Sequence, residues 1–153
     1  MPLISLDSNI LIYAEGTDDL VKRDIVIAMI GRIGPENILL PMQSAGETLR
    51  WMIRKGKLER GVAVRKIEWW LGQCVALPVS VAAFRKACTL VERNAFQLWD
   101  AVIFSASSEA GAEVLLSEDM QHGFSWGGVT ILNPFTLNEQ QRLQLTSAQS
   151  TMH

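Results

Sequence analysis

Only two cysteines, Cys74 and Cys88, occur in the 153 residues, and neither lies in a CxxC or Cys/His spacing. That scarcity argues against a disulfide framework and a structural zinc site. It reads instead as two reduced, buried thiols in a cytoplasmic chain. No apolar run approaches the length of a membrane span, so no membrane partner is expected. The first residues are apolar but lack a basic region, and Asp7 interrupts them, which argues against a signal peptide. An excess of basic charge is also missing: the formal net charge is −2, which by itself does not advertise nucleic-acid binding. Histidine is scarce too. His122 reads as part of a loop, open at most to a substrate contact, and His153 is terminal.

What is present is a globular composition, 48% hydrophobic and 20% charged, in a length that suits one domain. Five short apolar segments read as strands: Leu3–Leu6, Asn37–Leu40, Cys74–Val79, Glu113–Leu116 and Val129–Leu132. Between them run segments with helical periodicity. Val21, Ile25, Ala28 and Met29 form one stripe, Ala63, Ile67, Trp70 and Leu71 a second, and Phe84, Ala87, Cys88 and Val91 a third. Strands that alternate with helices predict a parallel sheet between helical layers. No repeat or linker divides the chain. Residues 1–137 read as one domain and residues 138–153 as a polar tail, a short helical turn followed by fraying residues.

Four acids adjoin apolar segments rather than solvated charge runs. Asp7 directly follows the first strand, and Asp119 follows the fourth in Leu116-Ser117-Glu118-Asp119. Glu47 lies on the helix after the second strand, and Asp100 lies in the opening turn of Trp99-Asp100-Ala101-Val102. In an open parallel sheet ligands bind beyond the carboxyl ends of the strands, so all four can face one edge despite their chain separation. Singly, each has an ordinary role: helix cap for Asp7, favourable charge at a helix start for Asp100, turn residue for Asp119, exposed helical acid for Glu47. Together they suit a hard divalent cation, Mg²⁺ or Mn²⁺, and metal-assisted phosphodiester chemistry. Ser8, Asn9 and Ser117 add neutral oxygens beside the acids, with capping and turn formation as their ordinary roles.

Basic charge is concentrated elsewhere. Seven of the 14 Lys and Arg residues fall between Arg50 and Lys66, opposed only by Glu59, and the run begins three residues after Glu47. Arg50, Arg54, Lys55 and Lys57 are the candidates for phosphate contacts; two solvated helix faces are the competing reading. Among the tryptophans, Trp70 and Trp99 read as core. Trp51 and Trp69 flank the basic run and suit an RNA or partner surface. Tyr13 reads as packing, with its hydroxyl at a solvent edge.

Four segments in order resemble a known family. Leu6-Asp7-Ser8-Asn9-Ile10-Leu11-Ile12-Tyr13-Ala14, Ser44-Ala45-Gly46-Glu47, Leu98-Trp99-Asp100-Ala101-Val102-Ile103 and Leu116-Ser117-Glu118-Asp119-Met120 resemble the acidic motifs of PIN domains, the nuclease fold of VapC-type toxins. The resemblance runs from Leu3 to about Pro134. It implies a three-layer α/β/α sandwich around a mostly parallel sheet of four or five strands. It further implies a Mg²⁺- or Mn²⁺-dependent ribonuclease, frequent homodimers and, for a toxin, a cognate antitoxin. Asp7, Glu47, Asp100 and Asp119 are then the catalytic, metal-binding set with Ser117 in support, and Glu118 competes with Asp119 for the last place. A non-catalytic RNA- or protein-binding module of the same fold is the alternative. A phosphorylatable receiver domain fits less well, because it wants a late lysine and the last lysine here is Lys86, ahead of the fourth strand.

Overall fold

All five expected strands pair in the computed structural model, which describes residues 2–16 and 18–147. The strands are β1 (Ile4–Leu6), β2 (Ile38–Pro41), β3 (Val75–Leu77), β4 (Val114–Leu116), β5 (Ser125–Trp126) and β6 (Val129–Leu132), in the sheet order β3-β2-β1-β4-β6-β5. Every pairing is parallel except β5 with β6. The β5 strand, absent from the sequence reading, makes the sheet six-stranded. It exists because Gly127 and Gly128 both take positive φ, 57° and 83°, and so close a two-residue hairpin. A Cβ at Gly127 would stand 2.5 Å from Ser108 Oγ, whose hydroxyl donates to the Gly127 carbonyl.

The helices are α1 (Ser8–Glu15), α2 (Leu20–Ile33), α3 (Met42–Arg54), α4 (Arg60–Gln73), α5 (Val81–Asn94), α6 (Leu98–Glu109) and α7 (Glu139–Thr146), with a 3-10 turn at Pro35–Asn37. Alternation along the strands sends side chains to two cores. Ile4, Leu6, Ile38, Leu40 and Leu116 pack with Leu11, Met29, Met52 and Ile67 of α1 to α4. Leu39, Leu115 and Ile131 pack on the opposite face with Leu90, Val102 and Phe104 of α5 and α6. The result is the expected three-layer α/β/α sandwich. Among the described residues no helix is long and apolar enough to cross a membrane.

The stripe on α4 is buried as expected, with Ala63, Ile67 and Trp70 inward. Two others are rotated. On α2 the buried face is Val26, Met29, Ile30 and Ile33, leaving Val21 exposed. On α5 it is Ala83, Ala87 and Leu90, so Phe84, Cys88 and Val91 face outward. The reason is close approach: α5 lies against α6 through small side chains, which favours alanine at the contact over larger residues. Cys88 is therefore exposed, while Cys74 is buried and its thiol pushed up to about 11 by that burial. Trp99 likewise stands half exposed on α6 rather than in the core.

The polar segment from Asn138 forms α7, opened by a reciprocal capping box between Asn138 and Gln141. It docks on α2, where Arg32 Nε donates to the buried Thr146 hydroxyl at 2.9 Å. His153 lies outside the described residues.

Candidate active site

The carboxyl edge of the sheet gathers the four acids from both helical layers. Asp7 ends β1 and caps α1: its Oδ1 accepts from Ser8 N at 2.7 Å. Its Oδ2 accepts from Ser117 Oγ at 2.7 Å and from Asn9 Nδ2 at 3.1 Å, and the residue is only 3% exposed. Burial raises its pKa to about 6. The Ser117 and Ser8 hydrogen bonds oppose that rise, and the charges of Asp100 and Glu47 add to it.

Glu47 arrives on α3, which is pinned to the end of β1 by the buried Ser44 hydroxyl donating to Leu6 O at 2.8 Å. Ser8 Oγ donates to Glu47 Oε1 at 2.7 Å, and Gln43 Nε2, one turn back, donates to Oε2 at 3.0 Å. Asp100 comes from α6 in the opposite helical layer. Its pKa is raised by burial first, then by the charges of Glu47 and Asp119. No hydrogen bond reaches its carboxylate among the described residues. Asp119, exposed after β4, completes the group, with its Oδ2 accepting from Asn9 Nδ2 at 3.1 Å.

Asn9 holds this edge together in a way its sequence position does not reveal. Its amide donates to both Asp7 and Asp119, while its Oδ1 accepts from the Glu118 backbone N–H at 3.1 Å. Asp119 and Glu118 lie 110 and 109 residues away in the chain, so no local spacing announces them. Glu118 itself turns aside. Its carboxylate accepts from the Tyr13 hydroxyl and pairs with Lys22, whereas Asp119 meets Asn9. Tyr13 thus meets a specific partner rather than solvent. His122 Nδ1 accepts from Asn133 N at 2.8 Å, a contact between loops.

The donor set is all hard oxygen, and Asp7 and Asp100 resist ionisation because of burial first and neighbouring negative charge second. Such a set fits a divalent cation of the Mg²⁺ class. Among the described residues no three acids, histidines or cysteines stand close enough to form a ready-made coordination shell. The hydrogen bonds from Ser8, Gln43, Asn9 and Ser117 occupy carboxylate oxygens that a cation would share.

Arg50 and Arg54 on α3, with Lys55 and Lys57 just beyond it, are all exposed, and none has an ion-pair partner among the described residues. Lys66 differs, because it pairs with Glu15 at 3.1 Å. Two clefts open on either side of Asp119. One, of about 450 Å³, is lined by Asn9, Tyr13, Gly16, Asp18, Trp51 and Asp119 among others. The other, of about 180 Å³, includes Phe96, Gln97 and Asp100.

Solved structures share this architecture. The VapC20 toxin of Mycobacterium tuberculosis, described as cleaving the sarcin–ricin loop, is 16% identical. It covers 73% of this chain and 86% of its own at a TM-score of 0.63. A toxin–antitoxin complex from Klebsiella pneumoniae is 15% identical, covering 88% of this chain and 99% of the matched one at 0.66. VapBC2 of Rickettsia felis, solved with a DNA fragment from its promoter, is 17% identical, covering 74% and 86% at 0.53. The fold is the PIN fold of VapC-type toxins. At these identities the likeness is one of fold. No family model matches the sequence, and no curated protein does. Within the PIN fold, the four acids picked out in the sequence occupy the ends of β1 and β4 and the facing sides of α3 and α6.

Proposed function

We propose that the protein is a metal-dependent endoribonuclease that hydrolyses RNA phosphodiester bonds at the Asp7–Glu47–Asp100–Asp119 edge. The observation that carries this reading is geometric: the Asn9 amide donates to both Asp7 and Asp119, the Ser8 hydroxyl next to Asp7 donates to Glu47, and Asp100 lines the same cleft as Asp119. Carboxylates that converge on one edge from separate elements would repel one another, and a bound cation would relieve that repulsion.

Asp7, Glu47, Asp100 and Asp119 would hold Mg²⁺ or Mn²⁺, with Ser117 in support. When bound, the metal supplies an acidified water and stabilises charge building on the phosphoryl oxygens. The remaining work belongs to the chain. Ser8, Asn9 and Ser117 fix the Asp7 carboxylate, and Asn9 sets Asp119 against it. Ser8 and Gln43 orient Glu47. The exposed Arg50, Arg54, Lys55 and Lys57 attract the RNA backbone to an edge that would otherwise repel it.

The relatives in fold extend the proposal to a toxin of a type II toxin–antitoxin pair, acting in the cytoplasm as a homodimer and inhibited by a cognate antitoxin. The deciding experiment is cleavage of a mixed RNA pool by purified, partner-free protein in Mg²⁺, in Mn²⁺ and in EDTA, beside Asp100→Asn. Metal-dependent cutting that the variant loses is the expected result. Absence of cutting by both proteins in fresh metal would replace the nuclease with a non-catalytic binding module.

A further inference from the structure

The larger cleft beside Asp119 is built around an aromatic side chain that the proposed hydrolysis does not use. Trp51 sits on α3 between Arg50 and Arg54, and its half-buried indole lies between two glycines. A Cβ at Gly16 would come within 3.6 Å of Trp51 Cη2, and one at Gly56 within 3.3 Å of Cζ3. A side chain at Gly56 would press on the ring, and one at Gly16 would sit in contact with it. The Trp51 Nε1 has no hydrogen-bond partner among the described residues, in contrast to Trp70, whose Nε1 donates to Glu15.

Charge divides this region. The outer end of α3 carries Arg50, Arg54, Lys55 and Lys57, whereas Asp18, Asp19, Glu118 and Asp119 rim the cleft. An acidic rim disfavours phosphate inside the cleft, and the basic helix end favours phosphate just outside it. A nucleotide meets both demands: its base has a π-face for Trp51 and, for guanine, adenine or cytosine, an amino group for a carboxylate acceptor. At about 450 Å³ the cleft is large enough for one base with its sugar.

We infer that the Trp51 cleft is a nucleobase subsite, which takes one unstacked base of a single-stranded RNA next to the phosphate held at the acidic edge. The subsite rests on the nuclease reading for its substrate class, but its occupancy can be measured without cleavage. It selects which phosphate is presented by holding the neighbouring base.

The test is binding in EDTA of single-stranded RNAs of about ten nucleotides, a normal footprint for such a groove. Each oligomer carries one abasic nucleotide, moved stepwise along the strand. With wild-type protein, one position should weaken binding about tenfold and the others little, in line with the contribution of one stacked base. Trp51→Leu on the intact oligomer should lose the same factor, Trp51→Phe should lose less, and the abasic and Leu losses should not multiply when combined. A flat abasic scan, or losses that multiply, would overturn the subsite and leave the cleft to a cationic peptide. The abasic scan uses unaltered protein, so a poorly folded variant cannot decide the matter. Cleavage that depends on Asp100 alongside a flat scan would remove the subsite and keep the nuclease. A position-specific scan without any cleavage would do the reverse.

Discussion

Asp7 and Asp100 bear on the same pool of negative charge from differently built corners. Asp7 is buried at the junction of β1 and α1, where Ser8, Asn9 and Ser117 donate to its carboxylate. Asp100, on the other side of the sheet, is partly buried and receives no side-chain donor among the described residues. Both are held above the ordinary carboxylate range, and burial leads in both. The difference lies in what opposes it: hydrogen bonds pull Asp7 back down, and nothing comparable acts on Asp100. Asp7 is thus fixed by its donors, while Asp100 has no such restraint. If the edge holds a cation as proposed, Asp7 would be its fixed wall and Asp100 its compliant one.

Removing each wall should break this comparison most visibly in catalysis. Asp100→Asn should lower cleavage by roughly 10²–10³-fold, the scale seen when one transition-state-stabilising group is lost. It should leave the fold at least as stable, because it relieves like-charge crowding without stranding a donor. Single-turnover cleavage and thermal melting on one preparation check both halves; retained activity would remove Asp100 from the site.

Stability against pH sharpens the Asp7 corner. A carboxyl whose folded-state pKa is raised contributes stability fully below its unfolded value of 3.8 and loses it as pH rises through about 6. In EDTA the wild type should therefore lose on the order of 3 kcal/mol across that window relative to Asp7→Asn, which cannot ionise there. The variant leaves a donor mismatched at Ser117 or Asn9, so it should start less stable near pH 4 and draw level or pass the wild type by neutrality. Urea denaturation at several pH values measures this. A parallel dependence in both proteins would mean that Asp7 is not the titrating group.

How far the sequence carries follows the same division between local and distant causes. The strands were legible because each is a short apolar run ended by turn chemistry, and the acids at their tips followed from parallel topology. Two-residue β5 has no period to detect, and only the positive φ at Gly127 and Gly128 creates it. Periodicity found α2 and α5 but misjudged their inward faces; on α5 the buried positions are Ala83, Ala87 and Leu90, where helix α6 lies against it. Trp99 and Cys88 were misplaced for a related reason: apolar character is a poor guide where a helix leaves large side chains on its outer face. Within the site, the positions of the acids and of the supporting Ser8, Asn9 and Ser117 could be anticipated, but not which acid each would bond. Asn9 looked like a capping residue, yet it bonds Asp119, and Lys22 and Tyr13 divert Glu118 from across the fold.

The basic end of α3 offers the next contrast, between charge outside the site and charge within it. Neutralising Arg54, Lys55 and Lys57 together should reduce the slope of log affinity against log salt by about 2 for single-stranded RNA. Titrating binding over a range of salt concentrations gives that slope. The same variant should bind Mn²⁺ as the wild type does, because these side chains lie outside the carboxylate group. An unchanged slope would return them to an ordinary solvated face.

Ser117→Ala is the finest test of the two walls, because it alters one donor and no charge. The Ser117 hydroxyl is fully buried, donates to Asp7 Oδ2 and accepts from Met120 N at 3.1 Å. Its loss leaves the Met120 N–H without that acceptor and should cost about 1–2 kcal/mol of stability. It also removes the largest of the influences that lower the Asp7 pKa. The Asp7 midpoint should therefore move upward from about 6, so the pH-dependent loss of stability extends to higher pH in the variant. Asp100 owes nothing to Ser117, and its own titration should stay where it is. Carboxyl-carbon NMR titrations in EDTA, read for both residues in wild type and variant, separate the corners directly. Equal movement of both midpoints would show a single coupled pair, and the distinction between a fixed and a compliant wall would fail.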